Sequence, residues 1–170
     1  MSFELARNAL ASQLAASIQA MENSITACPP NVWGDRIGPH EFWYLVYHTA
    51  FWLDCYSTAT PESYVPPAPY TTGEMDPAGV YPDRVYTKDE MLAFLAHSRT
   101  RALRELLALT PESAAERWRF YSYDLSRFEA FLNTNRHVQH HVGQLQLLLR
   151  QGGAQPPRWV RTMPLPGDHS

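Results

Sequence analysis

Apolar residues return at helical spacing in several stretches of the chain, separated by turn-forming sequence. From Phe3 to Thr26, Leu10, Leu14, Ile18, Met21 and Ile25 recur every three or four positions, the pattern of one buried helix face. Cys28-Pro29-Pro30 ends this helix, and a polar connection with Gly34, Asp35 and Gly38 follows. Pro39 is expected to open a second helix, where its missing N–H costs nothing and its ring presets φ. That helix, Glu41 to Thr58, is crowded with Phe42, Trp43, Tyr44, Tyr47, Phe51, Trp52 and Tyr56. Thr87-Lys88-Asp89-Glu90 reads as a capping box that starts a third helix. It runs to about Leu109, with Leu92, Leu95, Ala102, Leu103 and Leu106 facing inward. Thr110-Pro111-Glu112 reads as a connector turn leading to Trp118. A fourth helix is expected to begin between Ser122 and Ser126 and to reach Gln151. Its apolar stripe is Phe131, Val138, Val142, Leu145 and Leu149, and Gly152-Gly153 supplies the stop.

Between the second and third helices lies Pro61 to Tyr86, rich in Pro, Tyr and Gly and without helical or strand periodicity. A connection this long is unusual inside a compact domain and points to a covering loop or a mobile segment. It also lets the next helix run parallel to the last, whereas a short link forces antiparallel neighbours. The expected fold is therefore all-α, a four-helix bundle with up-down-down-up topology and a long crossover between helices two and three. Residues 1–170 read as a single domain. Its Pro-rich tail starts near 155, and Trp159 is expected to pack back on the helices.

Composition narrows the function classes. With 45% hydrophobic and 18% charged residues the chain is a folded globular protein. A net charge of -3 gives no basic face for nucleic acid. No apolar run is long enough for a membrane span, and no charged-then-apolar signal pattern opens the chain. Cys28 and Cys55 are expected at opposite ends of an antiparallel helix pair, too far apart for a disulfide. Two unpaired thiols suit a reducing compartment, so the expected location is cytoplasmic.

The chemistry concentrates in Asn135-Arg136-His137-Val138-Gln139-His140-His141-Val142-Gly143-Gln144-Leu145, which holds three of the seven histidines. At about 100° per residue, His137 and His141 lie about 40° apart and one turn apart, so both imidazoles can meet one ion. They fall beside the apolar stripe, whereas His140 shares the polar side with Glu129, Asn133 and Arg136. His48, among the aromatics of the second helix, is the natural third ligand. The di-iron pattern of helical bundles is excluded, because no Glu stands three residues before any histidine. His40-Glu41 resembles the start of a metalloprotease motif, but Tyr44 stands where its second histidine would be. What remains is a mononuclear site of His48, His137 and His141. Neutral imidazoles suit Zn, Ni or Fe, and three protein ligands leave positions open for water or substrate. Candidates to orient the ligands are Glu41, Asn133 and Asp124; Tyr44 could donate to a bound water, and Asp54 is rotated well away from His48. No catalytic residue stands out.

On these features the chain resembles the DinB/YfiT-like (damage-inducible DinB-like) superfamily over nearly its full length. The shared features are four helices, a histidine on the second and a His-x-x-x-His on the last. The most family-like stretch is His137-Val138-Gln139-His140-His141-Val142-Gly143-Gln144. Carried over residue by residue, the family's metal triad falls on His48, His137 and His141. The long Pro/Tyr-rich crossover and the aromatic second helix depart from the family pattern. The resemblance implies a divalent metal ion and, in some relatives, a metal-dependent thiol S-transferase or isomerase using a low-molecular-weight thiol; a hydrolase-type reaction at the same site is the related expectation. Arg99, Arg101 and Arg136 are candidates to meet carboxylates of such a thiol. Relatives often pair as homodimers through helix faces. The alternative is a non-catalytic helical bundle that binds metal structurally or presents a partner surface.

Overall fold

The computed structural model of the chain describes residues 2–34 and 41–165. It is mostly helical, with one small sheet. The elements are α1 (Phe3–Ala27), α2 (Pro30–Trp33), α3 (Phe42–Tyr56), α4 (Lys88–Leu107), α5 (Pro111–Ala115), β1 (Arg117–Phe120), β2 (Tyr123–Ser126) and α6 (Arg127–Gln151). Four of the helices are long. α1 packs against α4 and α6, and α3 packs against the same two. The contacts show which ends meet. Lys88 at the start of α4 donates to the Cys28 carbonyl after α1, and Arg7 near the start of α1 donates to the Leu109 carbonyl after α4 at 3.1 Å. Ser98 on α4 donates to the Ala50 carbonyl of α3. The buried Arg127 guanidinium opens α6 and covers the Ser57 and Thr58 carbonyls at the end of α3, satisfying acceptors that a helix end leaves free.

The core forms where the apolar stripes meet. Leu14, Ile18, Met21, Phe51, Phe94, Phe131, Val138, Val142 and Leu145 are all buried. On α4, Met91 and Phe94 join the expected inward set, and Leu92 is only partly buried. Both cysteines are free and buried. Among the described residues no helix is long and apolar enough to cross a membrane.

Several boundaries differ from the sequence reading. Pro39 and His40 lie outside the described residues; α3 begins at Phe42 with Glu41 at its cap and stops at Tyr56. Pro30 both follows the end of α1 and opens the short helix α2, being tolerated at a first helical position. Thr110-Pro111-Glu112 starts a true helix of five residues, held by a capping box with Ser113. The capping box at Thr87–Glu90 forms as expected, and a second box, Ser126–Glu129, opens α6. Gly153, at φ 78°, takes the left-handed conformation after α6 that glycine adopts without strain.

The largest difference is the β1–β2 hairpin, which pairs Arg117 with Ser126 and Phe120 with Tyr123. Its signal is the alternation Arg117-Trp118-Arg119-Phe120, exposed and buried in turn. Four residues are too few for that period to stand out from a loop. Tyr121 turns the chain at φ 49°, and Trp118 is fixed by donation to the Thr58 carbonyl at 3.0 Å. In the tail, Trp159 does not pack back: it is 66% exposed. Met163 and Leu165 pack instead, and Ser12 and Gln13 of α1 donate to the Met163 and Arg161 carbonyls.

The crossover is an ordered cover containing two 3-10 turns, Pro61–Ser63 and Thr72–Met75. Its tyrosines mostly pack: Tyr70 stacks on Phe94 at 4.1 Å, Tyr64 donates to buried Asp54, and Tyr86 is buried. Tyr81 stacks on Tyr44 of α3 at 4.0 Å.

Candidate metal centre

The helical period of α6 and the placement of His48 on α3 bring three imidazoles together. One ligand atom from each of His48, His137 and His141 lies within 4.8 Å of the other two. The ring centroids are 4.5 to 5.4 Å apart. His140 is exposed on the outer face of α6.

Hydrogen bonds decide which nitrogens are available. Nδ1 of His48 lies 2.7 Å from the Glu74 carboxylate, and Nδ1 of His141 lies 2.6 Å from Oε1 of Gln144. Both acceptors draw the proton to Nδ1 and leave Nε2 with its lone pair. Nε2 of His141 and Nε2 of His137 face each other at 3.1 Å. An ion with N–metal bonds of about 2.0–2.1 Å sets tetrahedral ligands roughly 3.3–3.4 Å apart, so the facing pair is close to that spacing. Nδ1 of His137 is buried and has no hydrogen-bond partner. That orphaned atom and the facing pair fit imidazoles offered to a cation.

The electrostatics agree. Burial, reinforced by His141 and His48, holds His137 down at about 3. Burial first, then the neighbouring His48, lowers His141 to about 4, with Gln144 opposing. Both are neutral at pH 7, as ligation requires. The consequence for stability has a definite sign. An unfolded histidine protonates near 6.5, whereas these two stay neutral until about 3 to 4. Over that window the unfolded chain binds more protons, so stability falls as pH drops. The thermal midpoint of metal-free protein is therefore expected to decline from pH 7 to pH 5. A His137→Gln/His141→Gln variant should show a flatter decline; equal slopes would contradict the assignment.

Glu74 is the residue that sequence reasoning missed. It sits on the crossover with its side chain 3% exposed, and accepts from His48 and from Nε1 of Trp52 at 3.1 Å. Burial alone would raise its pKa, but hydrogen bonds from His48, Tyr44 and Trp52 outweigh this and hold it below the ordinary carboxylate value. Nothing periodic marks a loop residue 26 positions from its partner. Gln144 was visible as a neighbour three residues after His141, a spacing that faces it across one turn. The other candidates do not contact the nitrogens of the three clustered histidines. Asp124 pairs with Arg117 and Arg119, and Glu41 stands at the N-cap position of α3 without a side-chain capping bond. Tyr44 bonds to Glu74. Asp54 is, as expected, remote from His48 and lies against Arg101. Arg99 meets Glu22 and Gln19, and of the three arginines only Arg136 shares a groove with one of the clustered histidines, His137. The groove is about 560 Å³ and is lined also by Tyr123, Asn133 and His140.

These features define a helical protein with a three-histidine cluster positioned for a divalent metal. The chain belongs to the DinB superfamily, whose family profile matches residues 13–145 and so spans α3, the crossover and both α6 histidines. Comparison with curated proteins gives no match.

Proposed function

We propose that this chain binds one divalent ion, Zn, Ni or Fe, through His48, His137 and His141, and that it is a metal-dependent enzyme of the thiol S-transferase kind. The observation that carries the reading is the convergence of three imidazoles from α3 and α6, two with Nδ1 already committed to an acceptor. When bound, such an ion acidifies a thiol or a water entering its open positions and supplies a nucleophile near neutral pH. The chain's own groups do the rest. Glu74 and Gln144 orient two of the ligands, and buried aromatics, with Trp52 and Tyr56 against the histidines, exclude bulk water. The groove beside His137 is within the usual size of a small-molecule site. In this reading Arg136, which lines that groove, meets an anionic group of a low-molecular-weight thiol. With water in place of the thiol the same arrangement supports hydrolysis.

The scaffold of this reading is a single domain over 1–170, with the four long helices as an up-down-down-up bundle. Its support is the pairing of helix ends: the start of α4 with the end of α1, and the start of α6 with the end of α3. Cytoplasmic location and a homodimeric state belong to the same proposal.

The test is metal content by mass spectrometry on tag-free protein beside His48→Ala and His141→Ala. About one ion per chain is expected in the wild type and none in either variant, followed by thiol-transfer assays metal by metal. A chain that takes up no ion on incubation would sink the reading. A Co²⁺ derivative without an exchangeable position would replace the enzyme with a structural metal site.

A further inference from the structure

The crossover does more than cover the helices beside the histidines. Glu74 stands in the 3-10 turn Thr72–Met75, and the chain is pinned on both sides of it. Tyr47 of α3 donates to the Thr71 carbonyl at 3.1 Å, and Tyr121 of the hairpin turn donates to the Met75 carbonyl at 2.9 Å. A Cβ at Gly73 would come within 3.0 Å of the Val80 carbonyl oxygen, so the returning strand of the loop lies against this turn. The turn thus delivers one buried carboxylate to Nδ1 of His48. Glu74 is not a member of the converging ligand set; it acts through His48.

We infer that Glu74 is a positioning residue that couples the seating of the crossover turn to metal occupancy at the three histidines. This rests on the proposed metal site and deepens it. Accepting the Nδ1 proton fixes the tautomer and ring orientation of His48 and makes Nε2 a better donor to a cation. Coupling of this kind is reciprocal: the factor by which the seated turn tightens metal binding is the factor by which metal holds the turn seated. An occupied site therefore closes its own cover.

The experiment measures Zn²⁺ affinity of the full chain, wild type beside Glu74→Gln and Glu74→Ala, together with amide hydrogen exchange at Thr72–Met75 with and without Zn²⁺. Gln keeps an acceptor oxygen at the same length but loses the charge, and its Zn²⁺-free thermal midpoint checks that the fold is kept. Loss of such a partner typically weakens metal binding about 10–100-fold. Glu74→Gln is expected near the lower figure and Glu74→Ala near the upper. In the wild type Zn²⁺ should slow exchange in the turn by a comparable factor, and in Glu74→Ala it should not. Affinities within twofold across all three proteins, or exchange in the turn indifferent to Zn²⁺ in the wild type, would overturn the inference while leaving the metal site standing. A wild type that binds no Zn²⁺ overturns both. A purely structural Glu74 would lower stability without making exchange in the turn depend on metal.

Discussion

Zn²⁺ at about a thousand times its Kd is expected to raise the unfolding free energy of the wild type by about 4 kcal/mol, and this increment should vanish in His137→Leu. The same substitution is expected to leave the metal-free chain within about 1 kcal/mol of the wild type. Two effects oppose in the metal-free state. Leucine removes a buried Nδ1 that has no partner, and replacing an unsatisfied polar group by an apolar one of similar size is close to neutral or stabilising. Against that, Nε2 of His141 loses its neighbour at 3.1 Å. Urea titrations with and without Zn²⁺ separate the two quantities. An equal Zn²⁺ increment in both proteins would mean that the ion sits elsewhere. A metal-free loss of several kcal/mol would mean that His137 is a packing residue first.

Asp54→Ala is expected to cost about 3 kcal/mol of stability while leaving Zn²⁺ affinity unchanged. The carboxylate is fully buried. Tyr64 donates to it at 2.8 Å, Arg101 approaches at 3.0 Å and His97 at 3.6 Å. Burial raises its pKa despite these three partners, so the cluster sits close to the limit of what its neighbours compensate. Removing one partner of a buried ion pair costs about 3–5 kcal/mol, mostly through what is left unpaired. The lower end applies because Arg101 is 26% exposed and can turn to water, whereas the buried Tyr64 hydroxyl loses its acceptor. Asp54 is six residues beyond His48 on α3, about 240° around the helix, so the metal site should not register the change. A loss below 1 kcal/mol in urea denaturation would show that Tyr64 and Arg101 find other partners. A parallel loss of Zn²⁺ binding would show that α3 transmits the damage.

The sequence by itself determined the four long helices and the two histidines of α6. Their periodicity is local: residues three and four apart must share a face whatever the rest of the chain does, so His137 and His141 were a pair before any tertiary contact formed. The capping box at Thr87 was equally legible, since cap and partner are three residues apart; the one at Ser126 has the same spacing, but the sequence reading places only a helix start between Ser122 and Ser126. His48 as third ligand needed more than periodicity: it is the histidine among the aromatics of the second helix that can complete the pair, and the resemblance to the family falls on the same residue. The β1–β2 hairpin escaped because four alternating residues carry too little pattern, and Trp159 because an aromatic in a tail has no period to place it.

Only the tertiary structure decided what surrounds the three histidines. Glu74 lies 26 positions from His48, beyond the end of α3 in the aperiodic crossover, and reaches it through a turn held by Tyr47 and Tyr121 from two other elements. Asp54, Tyr64 and Arg101 likewise meet from α3, the crossover and α4. Contacts of this kind depend on where a loop is set down by its neighbours. A linear pattern fixes which face a side chain takes on its own helix, and it carries no information about which distant group comes to rest against that face.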